Sequence, residues 1–192
     1  MHSIKKKTRK RIQSLLSKKL GPEYISYRQG FNGTKLAYIE GWVAISIANN
    51  IFGYDGWSSE IKSVTLDFCD ESVGKISLGV SVVVRVSLVD GNFKEDIGFG
   101  SSENQRSKVN AFEKAKKEAV TDAIKRALRQ FGDALGNCCY DKVYVSVIQK
   151  VLKHKNINFY ENNLLRKNDE LKCEELSDNI STELEKLDLT NE

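Results

Sequence analysis

The run Lys75–Leu88, KISLGVSVVVRVSL, decides the fold. Its even positions, Ile76, Leu78, Val80, Val82, Val84, Val86 and Leu88, are all apolar, while the odd positions are mostly Lys, Ser, Gly or Arg. A period of two over this length is a β-strand with one dry face and one wet face. Trp57 to Phe68 reads as a strand before it, joined across a polar turn from Asp70 to Gly74. Asn92 to Phe99 reads as a strand after it, joined across Asp90-Gly91, a strong short-range hairpin signal. A long helix follows, and the dry face needs that helix as its cover. The expected class is therefore α+β, a three-stranded antiparallel sheet packed on a long helix in ββα order, with flanking helices.

The helix segment Lys114–Asn137 reads KAKKEAVTDAIKRALRQFGDALGN. At about 100° per residue, Lys125, Arg126 and Arg129 fall in one arc with Lys114 beside them. Val109, Phe112, Ala119, Val120, Ala123, Ile124, Ala127 and Phe131 form the opposite, core-facing arc. One face is anchored and the other offered, and evenly spaced cations on a rigid face suit a chain of phosphates. Glu118 and Asp122 lie in the same arc, where i,i+3 and i,i+4 pairing would instead give an ordinary solvated face. Arginine at 126 and 129 favours the first reading, because its planar fork matches phosphate oxygens.

Outward from this core, Ile12, Leu15, Leu16 and Leu20 give a helical stripe stopped by Gly21-Pro22. The preceding run holds Lys5, Lys6, Lys7, Arg9, Lys10 and Arg11, a nuclear address, a phosphate-attracting arm or simply a basic helix start. An extended piece from Tyr24 to Arg28 leads into a polar turn from Gln29 to Thr34, and Tyr38 to Phe52 reads as a helix ended by Gly53. Past Gly132 and Gly136, Tyr140 to Lys153 reads as a further helix. The domain is set at 1–153 and an acidic, weakly ordered tail at 154–192, with a short helical recurrence at Leu184 and Leu187.

The chain has 192 residues, 40% apolar and 29% charged, with a net charge of +4. Such a length gives one well-cored domain with an appendage, basic in the body and acidic at the end. Cys69, Cys138, Cys139 and Cys173 lack CxxC spacing, and only His2 and His154 could join them, which argues against zinc. Adjacent Cys138 and Cys139 do not readily pair, and without a signal segment a reducing intracellular compartment follows. No apolar run reaches the roughly 20 residues of a bilayer span. His154 is the sole histidine away from the N-terminus and reads as a surface residue rather than a catalytic base. Asp67, Asp70 and Glu71 sit where a hairpin turn attracts acids anyway, so a metal-dependent nuclease is the weakest reading. The glycines near 30–33 and 98–100 lack phosphate-loop spacing. No cofactor is expected. What is left is a binder, with Tyr24, Tyr27, Tyr38, Tyr54, Trp57 and Phe99 as candidate stacking rings, most of them expected to pack in the core.

Several long stretches carry a resemblance. GPEYISYRQG, YIEGWVAISIANNIFGYDGW, the segment Gly91 to Glu103, and EKAKKEAVTDAIKRALRQFGDALGN are similar, in order, to the N-terminal annealing domain of the Rad-fifty-two recombination family, over roughly residues 10–150. The resemblance implies a ββα core of the double-stranded-RNA-binding type whose copies assemble into a ring with a positive outer groove. It further implies that single-stranded DNA lies there with its backbone inward and bases outward. By position, Arg28, Tyr38, Lys125, Arg126 and Arg129 would form the inner groove, and Lys75 and Arg106 an outer surface that also engages duplex DNA.

The function so implied is ATP-independent annealing of complementary strands in double-strand-break repair by homologous recombination, in the nucleus and without enzymatic bond chemistry. Expected partners are single-stranded DNA, further copies of the chain, and replication protein A, the recombinase or a full-length relative. Full-length family members carry a long C-terminal half, so recombinase loading is not expected of this chain alone. Its length resembles either the short paralogue called Rad-fifty-nine or a reduced version of the main protein. The competing class is an accessory or structural protein whose basic face docks an acidic partner, with the acidic tail folding back on the groove as a phosphate mimic.

Overall fold

The computed structural model describes residues 2–30, 33–153 and 164–165, with side chains between residues 8 and 151. The expected acidic tail, His154 and Cys173 therefore lie outside the described residues, apart from Leu164–Leu165. In chain order the elements are α1 (His2–Leu16), β1 (Lys19–Leu20), β2 (Ser26–Gln29), β3 (Lys35–Tyr38), α2 (Gly41–Phe52), β4 (Trp57–Ser72), β5 (Lys75–Leu88), β6 (Phe93–Gln105), α3 (Lys108–Arg129), α4 (Lys142–Lys153) and β7 (Leu164–Leu165). No helix among the described residues is long and apolar enough to cross a membrane.

The expected sheet is present, as an antiparallel three-stranded sheet in the order β4-β5-β6. The full order is βββα, one strand more than the ββα shorthand. The alternation of β5 works as read: Ile76, Leu78, Val80, Val82, Val84 and Val86 are all buried. α3 lies across β5 and β6 through a ladder of alanines, Ala111, Ala115, Ala119, Ala123 and Ala127, each fully buried. Their small size lets the helix backbone settle onto Gly98 and Gly100, where any Cβ would overlap the backbone of Ala115, Ala119 and Ala123. The apolar arc drawn from the sequence is corrected accordingly. Val109 is 75% exposed, and Phe112, Val120, Ile124 and Phe131 only flank the alanine seam. Close backbone approach selects the smallest side chains for the seam and leaves the large ones at its edges.

Both hairpins differ from their expected bounds. The β4–β5 turn is the two residues Val73-Gly74, with φ of 50° and 68°, and Ser72 pairs with Lys75. Asp67, Asp70 and Glu71 are thus strand residues, and Asp67 accepts a hydrogen bond from the Ser81 hydroxyl at 2.6 Å. β6 runs on to Gln105 rather than stopping at Phe99. β4 contains two bulges, between Ile61 and Ser63 and between Leu66 and Phe68. Each extra residue inverts the alternation, which places Ile61, Val64 and Leu66 on the same face as the buried valines of β5. α3 does not reach over β4, and these three remain about half exposed. On the opposite face Phe68 and Phe99 close over Gly79.

The N-terminal region also departs from expectation. Tyr38 ends a strand rather than opening a helix: β2 and β3 form an antiparallel hairpin with Ser26 opposite Tyr38 and Arg28 opposite Leu36. α2 begins only at Gly41, and its residues Val43, Ala44, Ile47, Ala48 and Ile51 enter the core. Leu20 belongs to β1, which pairs in parallel with β7. Leu164–Leu165 is therefore a placed strand within the stretch read as tail. Tyr140 closes a short 3-10 turn, Asn137–Tyr140, and α4 starts two residues later.

Candidate nucleic-acid interface

An open cleft of about 320 Å³ lies between the β2–β3 hairpin, the C-terminal half of α3 and the turn before α4. All five residues expected in the inner groove, Arg28, Tyr38, Lys125, Arg126 and Arg129, line it, and Lys35 and Lys142 join them. The hairpin makes this possible because its antiparallel pairing carries Arg28 and Tyr38, ten positions apart in sequence, to one edge of the cleft. Tyr38 is the hub: the Arg28 guanidinium stands 5.9 Å from its ring centroid and the Lys125 ammonium 5.6 Å. Cation–π attraction to the one ring holds both cations without neutralising them. Among the described residues, neither cation has a carboxylate partner.

The two arginines are held differently. Asp96, on β6 and only 16% exposed at its side chain, lies 3.3 Å from Arg126 Nε and 3.9 Å from Arg129 Nη2. Its carboxylate also accepts from the Gln130 amide at 2.9 Å. Burial opposes the charge of Arg126, but the hydrogen bond and field of Asp96, with the field of Asp122, outweigh it and raise its pKa above the ordinary guanidinium value. One carboxylate thus faces two guanidinium groups, which leaves a net positive charge at this wall. Arg129 also lies over the Tyr140 ring at 4.4 Å, and its Nε is buried with no partner. Both arginines occupy the last turn of α3, where the helix dipole favours cations.

The acids within the helical arc do not pair with its cations as the solvated-face reading supposed. The Glu118 and Asp122 carboxylates accept backbone N–H groups of Ser101 and Phe99 on β6, fastening the helix to the sheet. Asp96, the acid that does face the arginines, comes from a strand and was missed. Its place on the helix side of β6 follows from its register opposite Val84, a cross-strand relation that helical periodicity does not contain. Tyr140 was missed as well, absorbed into a helix that begins after it.

Of the other candidate rings, Tyr24 is buried, Tyr27 packs against the core, Trp57 donates its indole N–H to Asn49, and Phe99 lies over Gly79. Tyr54 is exposed, away from the cleft. Lys75 and Arg106 are both exposed and flank the paired residues Ile76 and Gln105, so they share one end of the sheet. That end adjoins the start of α3, whereas the cleft is lined from Asp122 to Arg129, roughly 20–30 Å further along the helix at 1.5 Å rise per residue. The two expected DNA surfaces are therefore separate.

Among the described residues no three His, Cys, Asp or Glu side chains gather into a metal-sized group. Cys138 is buried, and hydrogen bonding to Cys138 together with burial pushes the Cys139 thiol up, keeping it protonated rather than nucleophilic.

An α+β scaffold presenting cations and rings in an open cleft has the chemistry that suits a polyanion. The sequence is more specific. The model of the Rad52/22 family double-strand break repair proteins matches residues 8–158, and the chain belongs to that family. It is 61% identical over 160 residues to the DNA repair and recombination protein RAD52 of Kluyveromyces lactis, covering 83% of this chain and 36% of that protein. It is 59% identical to the RAD52 of Saccharomyces cerevisiae, covering 83% and 34%, and 54% identical to rad22 of Schizosaccharomyces pombe, covering 82% and 34%. The chain spans about a third of the length of these relatives.

Proposed function

We propose that this chain binds single-stranded DNA in the Tyr38 cleft and anneals complementary strands without ATP, within double-strand-break repair by homologous recombination in the nucleus. The observation that carries the reading is the cleft itself, in which cations from β2 and α3 converge on a single ring in an open groove. Fixed cations replace the counterions of a strand, and a groove gripping phosphates leaves base edges free to test a complement. No bond is made or broken, so no nucleophile or metal is required. The separate pair Lys75 and Arg106 would engage a second strand or duplex.

A ring of copies completes the proposal. β4 is an edge strand whose residues are exposed almost throughout, and it carries apolar side chains on both faces. A 16-residue edge of this kind invites pairing or coverage by a neighbour, and a second copy of the chain is the neighbour proposed. Replication protein A, the recombinase and a full-length relative are the further partners proposed.

The test is the triple substitution Lys125→Ala, Arg126→Ala, Arg129→Ala, measured by fluorescence anisotropy on an oligothymidylate and by a strand-annealing assay. Affinity is expected to fall on the order of 100-fold at about 0.1 M salt, with the oligomer intact. Undiminished annealing by a well-folded triple variant would move the site elsewhere.

A further inference from the structure

We propose that Tyr140, backed by Arg129, is a stacking platform that takes the face of one nucleobase of the bound strand. The inference rests on the single-strand reading above and deepens it by assigning a contact to a base rather than to phosphate. Tyr140 is 63% exposed, yet it lines the cleft beside Arg126 and Lys142. Exposed rings usually sit on mobile surface chain, but this one does not. On its N-terminal side Cys138 is buried in the core. On its C-terminal side Asp141 pairs with Lys19 at 2.5 Å and accepts the N–H groups of Val143 and Tyr144, pinning the start of α4. A large apolar face is thus held open to water on a rigid backbone, at a cost that a ligand surface would recover.

Arg129 supplies the second half of the argument. Its guanidinium covers Tyr140 at 4.4 Å from the centroid, fixing the ring orientation, and Asp96 lies 3.9 Å from Nη2 of that guanidinium. A base added to the ring extends the stack without displacing either group. Stacking uses the π-face of the base and leaves its pairing edge free, which an annealing surface needs. Base faces in duplex DNA are already covered by their neighbours, so the platform favours the unpaired strand. Tyr38 is less suited to the task, because two cations already crowd its ring.

The test compares Tyr140→Leu and Tyr140→Phe with the wild-type chain on three probes: a 30-mer oligothymidylate, a 30-mer abasic phosphodiester chain, and a 30-base-pair duplex. Tyr140→Leu is expected to bind oligothymidylate about tenfold more weakly, with an unchanged salt slope because no charge is lost. Tyr140→Phe is expected to stay within about twofold of wild type, since the ring is retained. The abasic chain and the duplex are expected to bind Tyr140→Leu and wild type alike. An equal loss on the abasic chain would show that the ring serves only to hold Arg129, and would overturn the platform. Unchanged oligothymidylate binding by Tyr140→Leu would overturn it too, while the parent reading stands. Failure of the wild-type chain to bind oligothymidylate overturns the parent reading itself.

Discussion

Asp96 sets the electrostatic level of the cleft. It faces Arg126 and Arg129 together, so of the six cations that line the cleft it withdraws one charge from the expected inner-groove set Arg28, Lys125, Arg126 and Arg129. About three phosphate equivalents remain in that set, and the single-strand relation gives it a log-log salt slope of roughly −2. Asp96→Asn is expected to tighten oligothymidylate binding at low salt and to steepen that slope by about 0.7. Weaker binding with an unchanged slope would assign Asp96 to holding the arginine forks instead. Strain is local at Val73, a β-branched residue with φ of 50° that is 96% exposed. Val73→Asn gives the Asn-Gly pair that such a turn prefers, and should raise stability by about 1 kcal/mol in urea denaturation.

α3 shows how an element is positioned by what its residues lack. The alanine ladder and Gly98 and Gly100 together bring helix and sheet backbones close, and this approach places Arg126 and Arg129 above Asp96. Gly98→Ala is expected to cost about 1–3 kcal/mol by pushing the helix outward. The same variant should weaken oligothymidylate binding although it removes no cation. A fully stable Gly98→Ala protein with intact binding would show that the seam has slack. β4 teaches the complementary lesson, since its two bulges gather Ile61, Val64 and Leu66 on one face despite their mixed parity.

The whole chain leaves those three side chains half exposed, and the proposed ring accounts for them. Leu66→Lys is expected to shift the assembly to smaller species in light scattering while the isolated fold persists. An unaltered assembly size would remove β4 from the interface. Acid stability is also a property of the whole molecule. Hydrogen bonds from Lys19 hold Asp141, from Trp42 and Ser26 hold Glu40, and from the Asn92 backbone hold Asp90, each below its ordinary carboxylate value. A depressed folded-state pKa means that the unfolded chain binds more protons, so this stabilisation is complete above the ordinary carboxylate range and is lost as pH falls from there through the lowered folded-state values. Stability should therefore decline below about pH 4.5, and less steeply in Asp141→Asn. A parallel decline in both proteins would show that the Lys19 contact adds nothing.

Much of this was legible in the chain alone, because burial imposes a period. The two-residue alternation of Lys75–Leu88 and the cationic side of the Lys114–Arg129 helix are local regularities, and the motifs carrying the family resemblance are likewise contiguous. The sequence thereby determined the class of fold, the central sheet, and the cations offered to a ligand. Only the tertiary structure decided that Tyr38 belongs to a hairpin, that Asp96 faces two arginines across β6 and α3, and that Tyr140 stands open beside them. Those relations join residues 30 or more positions apart in the one case, or turn on where a strand ends and a helix begins in the other. Their energies come from register and close packing, which no single stretch of sequence contains.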